Sequence, residues 1–136
     1  MEFVLDCSVA CSFLLGDEAD NYAEKVLNLL QKKKAIAPSI FLFEVANVFR
    51  TSINQKRCSK SQATSLLECL NALPITIYQY KTPRQMHGVL DAALDYNLSA
   101  YDASYLLLSK YYSIPLATLD GQLMKAAEKE SLYLNF

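Results

Sequence analysis

Short apolar runs alternate along the chain with longer stretches in which apolar side chains recur at helical spacing. Phe3-Val4-Leu5, Ala35-Ile36-Ala37, Ile75 to Tyr78 and Pro115 to Thr118 read as short buried strands, the second closed by Pro38. From Glu18 to Lys33, Ala19, Tyr22, Ala23, Val26, Leu27, Leu29 and Leu30 keep the spacing of one helix face, and Lys32 to Lys34 suit the helix C-terminus. A shorter helix is expected from Ser8 to Leu15, ended by Gly16. Ser39 is placed to cap a helix from Ile40 to about Gln55, and another runs from Ser59 to Leu73 before Pro74. Further helices are expected from Thr82 to Tyr96, with Pro83 at the first helical position, from Ser99 to about Tyr111, and from Gly121 to Lys129. Leu132 to Leu134 is a candidate fifth strand at the sheet edge.

Strands alternating with helices predict an α/β fold whose parallel sheet is covered on both faces. No linker, repeat or low-complexity stretch interrupts residues 1–136, so a single domain is expected. In such sheets ligands bind beyond the carboxyl ends of the strands, where the connections reverse direction. Polar residues just after strands therefore carry weight. Asp6 follows the first strand and Asp120 the fourth.

Composition narrows the classes. With 52% apolar and 20% charged residues the chain is globular rather than disordered. Its net charge of −1 and pI of about 5.8 count against tight non-specific binding to nucleic acid. They leave room for an enzyme that holds a substrate through metal ions and a few local cations. The four cysteines, Cys7, Cys11, Cys58 and Cys69, form no C-x-x-C pair, and His87 is the only histidine. They are expected to be reduced, small, mostly buried side chains rather than zinc ligands. No signal peptide is read at Met1 to Asp6 and no apolar run is long enough to span a bilayer, so a cytoplasmic protein without a membrane partner is expected.

Four carboxylates stand out, and each has a bland reading beside the functional one. Asp6 and Asp120 sit where an acid either caps the next helix or binds metal above the sheet. Asp102 follows Ser99 by three residues, the spacing of a capping box. Glu44 is harder to explain by local structure. It lies in Ile40-Phe41-Leu42-Phe43-Glu44-Val45-Ala46-Asn47-Val48-Phe49, with Asn47 and then Thr51 continuing its face. A charge among bulky apolar neighbours is costly unless it is paired or bound to metal. If these acids met in one pocket, each like-charge pair at ~5 Å would cost roughly 3 kcal/mol at an effective dielectric of about 20. Helix N-termini would offset part of that and a divalent cation most of the rest. An all-oxygen ligand set favours Mg²⁺ or Mn²⁺ over zinc.

In these segments the chain resembles the PIN-domain family, and most of all its small VapC-type toxin ribonucleases. The resemblance is carried by Val4-Leu5-Asp6-Cys7-Ser8, Phe43-Glu44-Val45-Ala46-Asn47, Leu98-Ser99-Ala100-Tyr101-Asp102-Ala103-Ser104-Tyr105 and Pro115-Leu116-Ala117-Thr118-Leu119-Asp120, in that order across essentially the whole chain. It implies a three-layer α/β/α fold with a parallel, roughly five-stranded sheet. It also implies a Mg²⁺- or Mn²⁺-dependent endoribonuclease acting on single-stranded RNA. Asp6, Glu44, Asp102 and Asp120 carry over as the catalytic acids. Asp6 and Asp120 would be direct metal ligands, with Asp102 a further metal residue that, like Glu44, binds a second ion or orients the water. Ser8, Asn47 and Thr118 carry over as supporting residues. A homodimer and a cognate antitoxin protein are the implied partners.

Scattered cations, among them Lys32 to Lys34, Lys56, Arg57, Lys60, Lys81, Arg84 and Lys110, read mostly as ordinary solvated charges. Tyr22, Tyr101 and Tyr105 fall at helical core spacing, which favours packing over base stacking. Two other functions compete. In a non-catalytic interaction module the acids would only cap helices. A phosphoacceptor domain of the response-regulator kind would want two adjacent acids after the first strand, where Asp6 is followed by Cys7.

Overall fold

The computed structural model describes residues 2–16 and 20–136. Four strands, β1 (Phe3–Leu5), β2 (Ala35–Pro38), β3 (Ile75–Tyr78) and β4 (Leu116–Ala117), form one sheet in the order β3-β2-β1-β4, every neighbouring pair parallel. Among the described residues, seven helices connect and follow them: α1 (Cys7–Leu15), α2 (Asn21–Leu30), α3 (Ile40–Asn54), α4 (Lys60–Asn71), α5 (Gln85–Tyr96), α6 (Ala100–Tyr112) and α7 (Gly121–Lys129). Right-handed crossovers put α1 to α4 on one face and α5 to α7 on the other. The packing agrees: α1 lies against α2, α3 and α4, and α6 against α5 and α7. The expected α/β/α layering is therefore present.

The central strands β1 and β2 are buried at every residue, as a sheet covered on both faces requires. α6 is buried without a break from Ala103 to Ser109, so it runs through the interior rather than over the surface. Its burial explains why its pattern lacks a clear polar stripe. The chain leaves β1 toward β2 and β3, then returns to place β4 on the other side of β1. The connections thus reverse direction between β1 and β4, and a crevice opens there at the carboxyl ends of both strands.

Several boundaries differ from the sequence reading. The opening of the second helix at Glu18 and Ala19 lies outside the described residues; within them α2 starts at Asn21, capped by Asp20, whose Oδ1 accepts from the Ala23 N–H at 3.0 Å. It ends at Leu30, where the N–H groups of Lys32 and Lys33 turn back onto the Leu29 carbonyl. Thr82 to Arg84 form a turn instead of the first turn of α5, because the Gln85 side-chain oxygen accepts from the Lys81 and Thr82 N–H groups at 2.6 and 3.1 Å. The fifth strand reduces to one parallel bridge between Leu116 and Tyr133. Neighbouring backbone has little to offer it: Pro115 lacks an N–H, and the Ile114 N–H bonds back to Ser109.

Candidate active site

Asp6 stands where β1 gives way to α1, in the N-cap position, yet its side chain caps nothing. Its Oδ2 instead accepts from the Ser8 hydroxyl at 2.5 Å and the Thr118 hydroxyl at 2.8 Å, and the residue is only 4% exposed. Each hydroxyl is itself held from the loop after β4. The Leu119 N–H donates to Ser8 Oγ and the Asp120 N–H to Thr118 Oγ1, both at 3.0 Å. Two relays of backbone N–H, hydroxyl and carboxylate therefore lock the end of β1 to the end of β4. Each hydroxyl spends its one proton on Asp6 and satisfies a loop donor with its lone pairs.

Asp120 does act as a cap: its Oδ1 accepts from the Leu123 N–H at 2.9 Å at the start of α7. Capping needs only that oxygen. In α6 the cap is Ser99, whose Oγ accepts from the Asp102 N–H at 3.1 Å. Asp102 is the acid in that first turn and is half-buried. Glu44 sits beside the core face of α3, which Phe41, Val45 and Phe49 form. Its Oε1 accepts from the hydroxyl of Tyr105 at 2.6 Å, a tyrosine of α6 with no exposed surface.

The four acids act on one another. Burial raises the pKa of the Asp6 carboxyl; its hydrogen bonds from Ser8 and Thr118 pull it back down, and the charge of Asp120 adds to the rise. Glu44 is raised chiefly by burial, against the Tyr105 hydrogen bond, and further by Asp6 and Asp102. Asp102 is raised by burial, then by Asp120 and Asp6. The Tyr105 phenol is pushed up by burial and by the charges of Asp6 and Glu44, so it stays a neutral donor. The carboxylates share a field without forming a tight cage: among the described residues, no three His, Cys, Asp or Glu side chains are gathered closely enough to hold an ion.

The structure thus brings Asp6 and Asp102 into electrostatic range of each other and of both Glu44 and Asp120, and joins Ser8 and Thr118 to Asp6. Asn47, expected beside Glu44, is exposed on α3. Tyr105 is the residue that sequence reasoning assigned only to packing; its signal was the three-residue step from Asp102, which puts both on one face of α6. Tyr101, expected in core or dimer packing, is 61% exposed and so is no part of the core. Cys7 follows Asp6 directly, but its hydrogen-bonded contact with Cys11 at 3.5 Å and its burial drive its pKa up, leaving a neutral thiol. His87 is exposed on α5.

Comparison with known proteins gives this arrangement a family. The model of the PIN domain matches residues 3–129. Ribonuclease VapC1 of Mycobacterium tuberculosis is 29% identical over 125 residues, covering 92% of this chain and 90% of that one. Among solved structures, PAE2754 of Pyrobaculum aerophilum superposes with a TM-score of 0.72 at 18% identity, over 94% of this chain and 81% of its own. VapBC2 of Rickettsia felis, bound to a DNA fragment from its promoter, gives 0.69 at 14% identity, over 99% and 98%. The fold, the crevice between β1 and β4 and the family match agree: the chain belongs to the PIN-domain family.

Proposed function

We propose that the chain is a divalent-metal-dependent endoribonuclease that cleaves single-stranded RNA, the toxin of a toxin–antitoxin pair. One observation carries the reading. Four carboxylates from four separate segments lie near enough to influence one another around the ends of β1 and β4, and burial and repulsion raise the proton affinity of three of them. Keeping like charges together costs stability, and a bound cation relieves that cost. The donor set fits Mg²⁺ or Mn²⁺, because it offers only oxygens and the adjacent Cys7 thiol is neutral. Such an ion, when bound, polarises the scissile phosphate and lowers the pKa of an attacking water.

The chain's own residues have distinct tasks in this reading. Asp6, Asp102 and Asp120 would hold the ion by drawing in around it, since as they stand they are too far apart to do so. Ser8 and Thr118 fix the Asp6 carboxylate and leave its Oδ1 outside their two hydrogen bonds. Glu44 combines a raised proton affinity with an orientation set by Tyr105, which suits it to take a proton from the attacking water. The ribonuclease relative supports the activity, and the likeness in fold to a toxin-antitoxin complex from Klebsiella pneumoniae supports an antitoxin partner. The reading includes a homodimer working in the cytoplasm; no helix among the described residues is long and apolar enough to cross a membrane.

A non-catalytic module has one point in its favour, since Asp120 does cap α7. Cleavage of a broad panel of single-stranded RNAs with Mg²⁺ or Mn²⁺ separates the two. The wild-type chain should cleave, and Asp6→Asn and Asp120→Asn variants that remain folded should lose on the order of 10²–10⁴ in rate. Equal rates for all three would leave the nuclease reading without support.

A further inference from the structure

Val89 and Ala92 are buried and set the core-facing side of α5. Beside that side, Met86, Leu90 and Leu94 stand at successive steps of four residues and form one ridge along the helix. They are 46%, 56% and 72% exposed. Single apolar residues are ordinary on a protein surface, but three large ones in an unbroken ridge mark a contact face.

A polar row runs alongside the ridge. Arg84, His87, Asp91 and Asp95 follow one another at steps of three or four residues, and all four are exposed. Arg84 already has helical backbone angles at the N-cap, so it belongs to the same row. The cation therefore stands at the start of α5 and both carboxylates toward its end. Among the described residues, Arg84, Asp91 and Asp95 have no ion-pair partner within the chain, whereas Glu130 has Lys110.

This pattern complements itself. A two-fold axis at Leu90 that sets α5 against an antiparallel copy keeps the two polar rows on the same side and reverses their order. Leu90 then meets Leu90 of the partner subunit, Met86 meets the partner's Leu94, and Arg84 comes beside the partner's Asp95. Each pair off the axis occurs twice, as an isologous interface requires. A parallel pairing would set Asp91 against Asp91 and Asp95 against Asp95, which like-charge repulsion opposes. We propose that two copies of this chain pair through α5, antiparallel about Leu90. The pairing gives the homodimer of the functional reading its face and draws nothing from the nuclease chemistry, so either can fail without the other.

Cysteine crosslinking tests face and orientation together, in the full-length chain with Cys58→Ser and Cys69→Ser to remove the thiols that are not buried. With copper–phenanthroline as oxidant, Leu90→Cys should give a disulfide-linked dimer, because the axis presents position 90 to itself. Met86→Cys and Leu94→Cys should each crosslink poorly alone and well when mixed. Sedimentation gives a reading free of added thiols: the wild-type chain should run as a dimer at micromolar concentration and Leu90→Asp as a folded monomer. Arg84→Glu should weaken the dimer about tenfold, and adding Asp95→Arg should restore it. A monomeric wild type overturns the proposal and leaves the ridge to a different protein. A dimer that survives Leu90→Asp, or equal crosslinking by all three single substitutions, overturns it as well. Crosslinking of Met86→Cys and of Leu94→Cys each with itself, but not with each other, means parallel copies and contradicts the charge pattern.

Discussion

Among the described residues, two glutamate–tyrosine pairs of the same chemistry stand in different surroundings, and their carboxyls shift in opposite directions. In the middle of α6, Tyr105 donates to Glu44 at 2.6 Å, and the Glu44 carboxyl is nevertheless raised, because burial outweighs the hydrogen bond and Asp6 and Asp102 repel it. At the end of α5, Tyr96 donates to Glu130, and that carboxyl is lowered, first by the hydrogen bond and then by Lys110, whose Nζ lies 3.2 Å from Glu130 Oε1. The hydrogen bond is common to both. What differs is desolvation and the sign of the neighbouring charge. Glu130 is an ordinary surface ion pair, worth little to stability. Glu44 keeps company that only a cation would relieve, which is the mark of a site held together for function rather than for folding.

Substitutions at the two pairs should separate sharply. Glu44→Gln is expected to cut RNA cleavage by about 10²–10⁴, while Glu130→Gln leaves kcat/KM within experimental error; initial rates on one RNA substrate decide it. Removing only the donor gives a milder split. Tyr105→Phe frees the Glu44 carboxylate and should cost about tenfold in kcat, roughly the 1.4 kcal/mol of one lost orienting hydrogen bond. Tyr96→Phe should leave cleavage unchanged. If both phenylalanine variants behaved alike, Tyr105 would be no more than a packing residue.

The smallest effect concerns stability and pH. The carboxyls of Asp6, Glu44 and Asp102 bind a proton more readily in the folded chain than in the unfolded one, where Asp and Glu titrate near about 4. The folded state therefore holds more protons. Without metal, the contribution of these groups grows as pH falls through their raised values, is complete below about 4, and is lost above those values. Glu130 works the other way, its contribution present above about 4 and lost on acidification through its lowered value. Asp102→Asn should thus stabilise the metal-free protein at neutral pH by about 1 kcal/mol, a modest figure because Asp102 is half exposed and solvent screens the repulsion. Thermal melts across pH should show this gain shrinking toward pH 4. A loss of stability in Asp102→Asn at every pH would mean that its charge is satisfied locally.

Much of this architecture was legible in the residues. Strand–helix alternation placed β1 to β3 within a residue, and the position of Asp6 and Asp120 after strands pointed to the crevice between β1 and β4. Glu44 betrayed itself as a charge in an apolar stretch. What stayed hidden depended on long-range partners. Nothing local to Asp6 says that Thr118, 112 residues away, takes the place of a helix N–H as its donor; only the family resemblance pointed to Thr118 as a supporting residue. Nothing local to Tyr105 says that its hydroxyl meets Glu44, 61 residues distant. Asp102 looked like the second half of a capping box, a motif whose two reciprocal bonds appear instead in α4, between Ser59 and Gln62. The turn at Thr82 to Arg84 escaped notice because a side chain, Gln85, supplied the acceptor that helical backbone would have used.

Titration calorimetry with Mn²⁺ tests the central claim most directly. The wild-type chain and Glu130→Gln should bind the ion alike, releasing protons in slightly acidic buffer because raised carboxyls must ionise to bind it, while Asp6→Asn should show at least about tenfold weaker binding. Absence of binding in the wild type, or the same isotherm in Asp6→Asn, would contradict a metal site built on these four carboxylates.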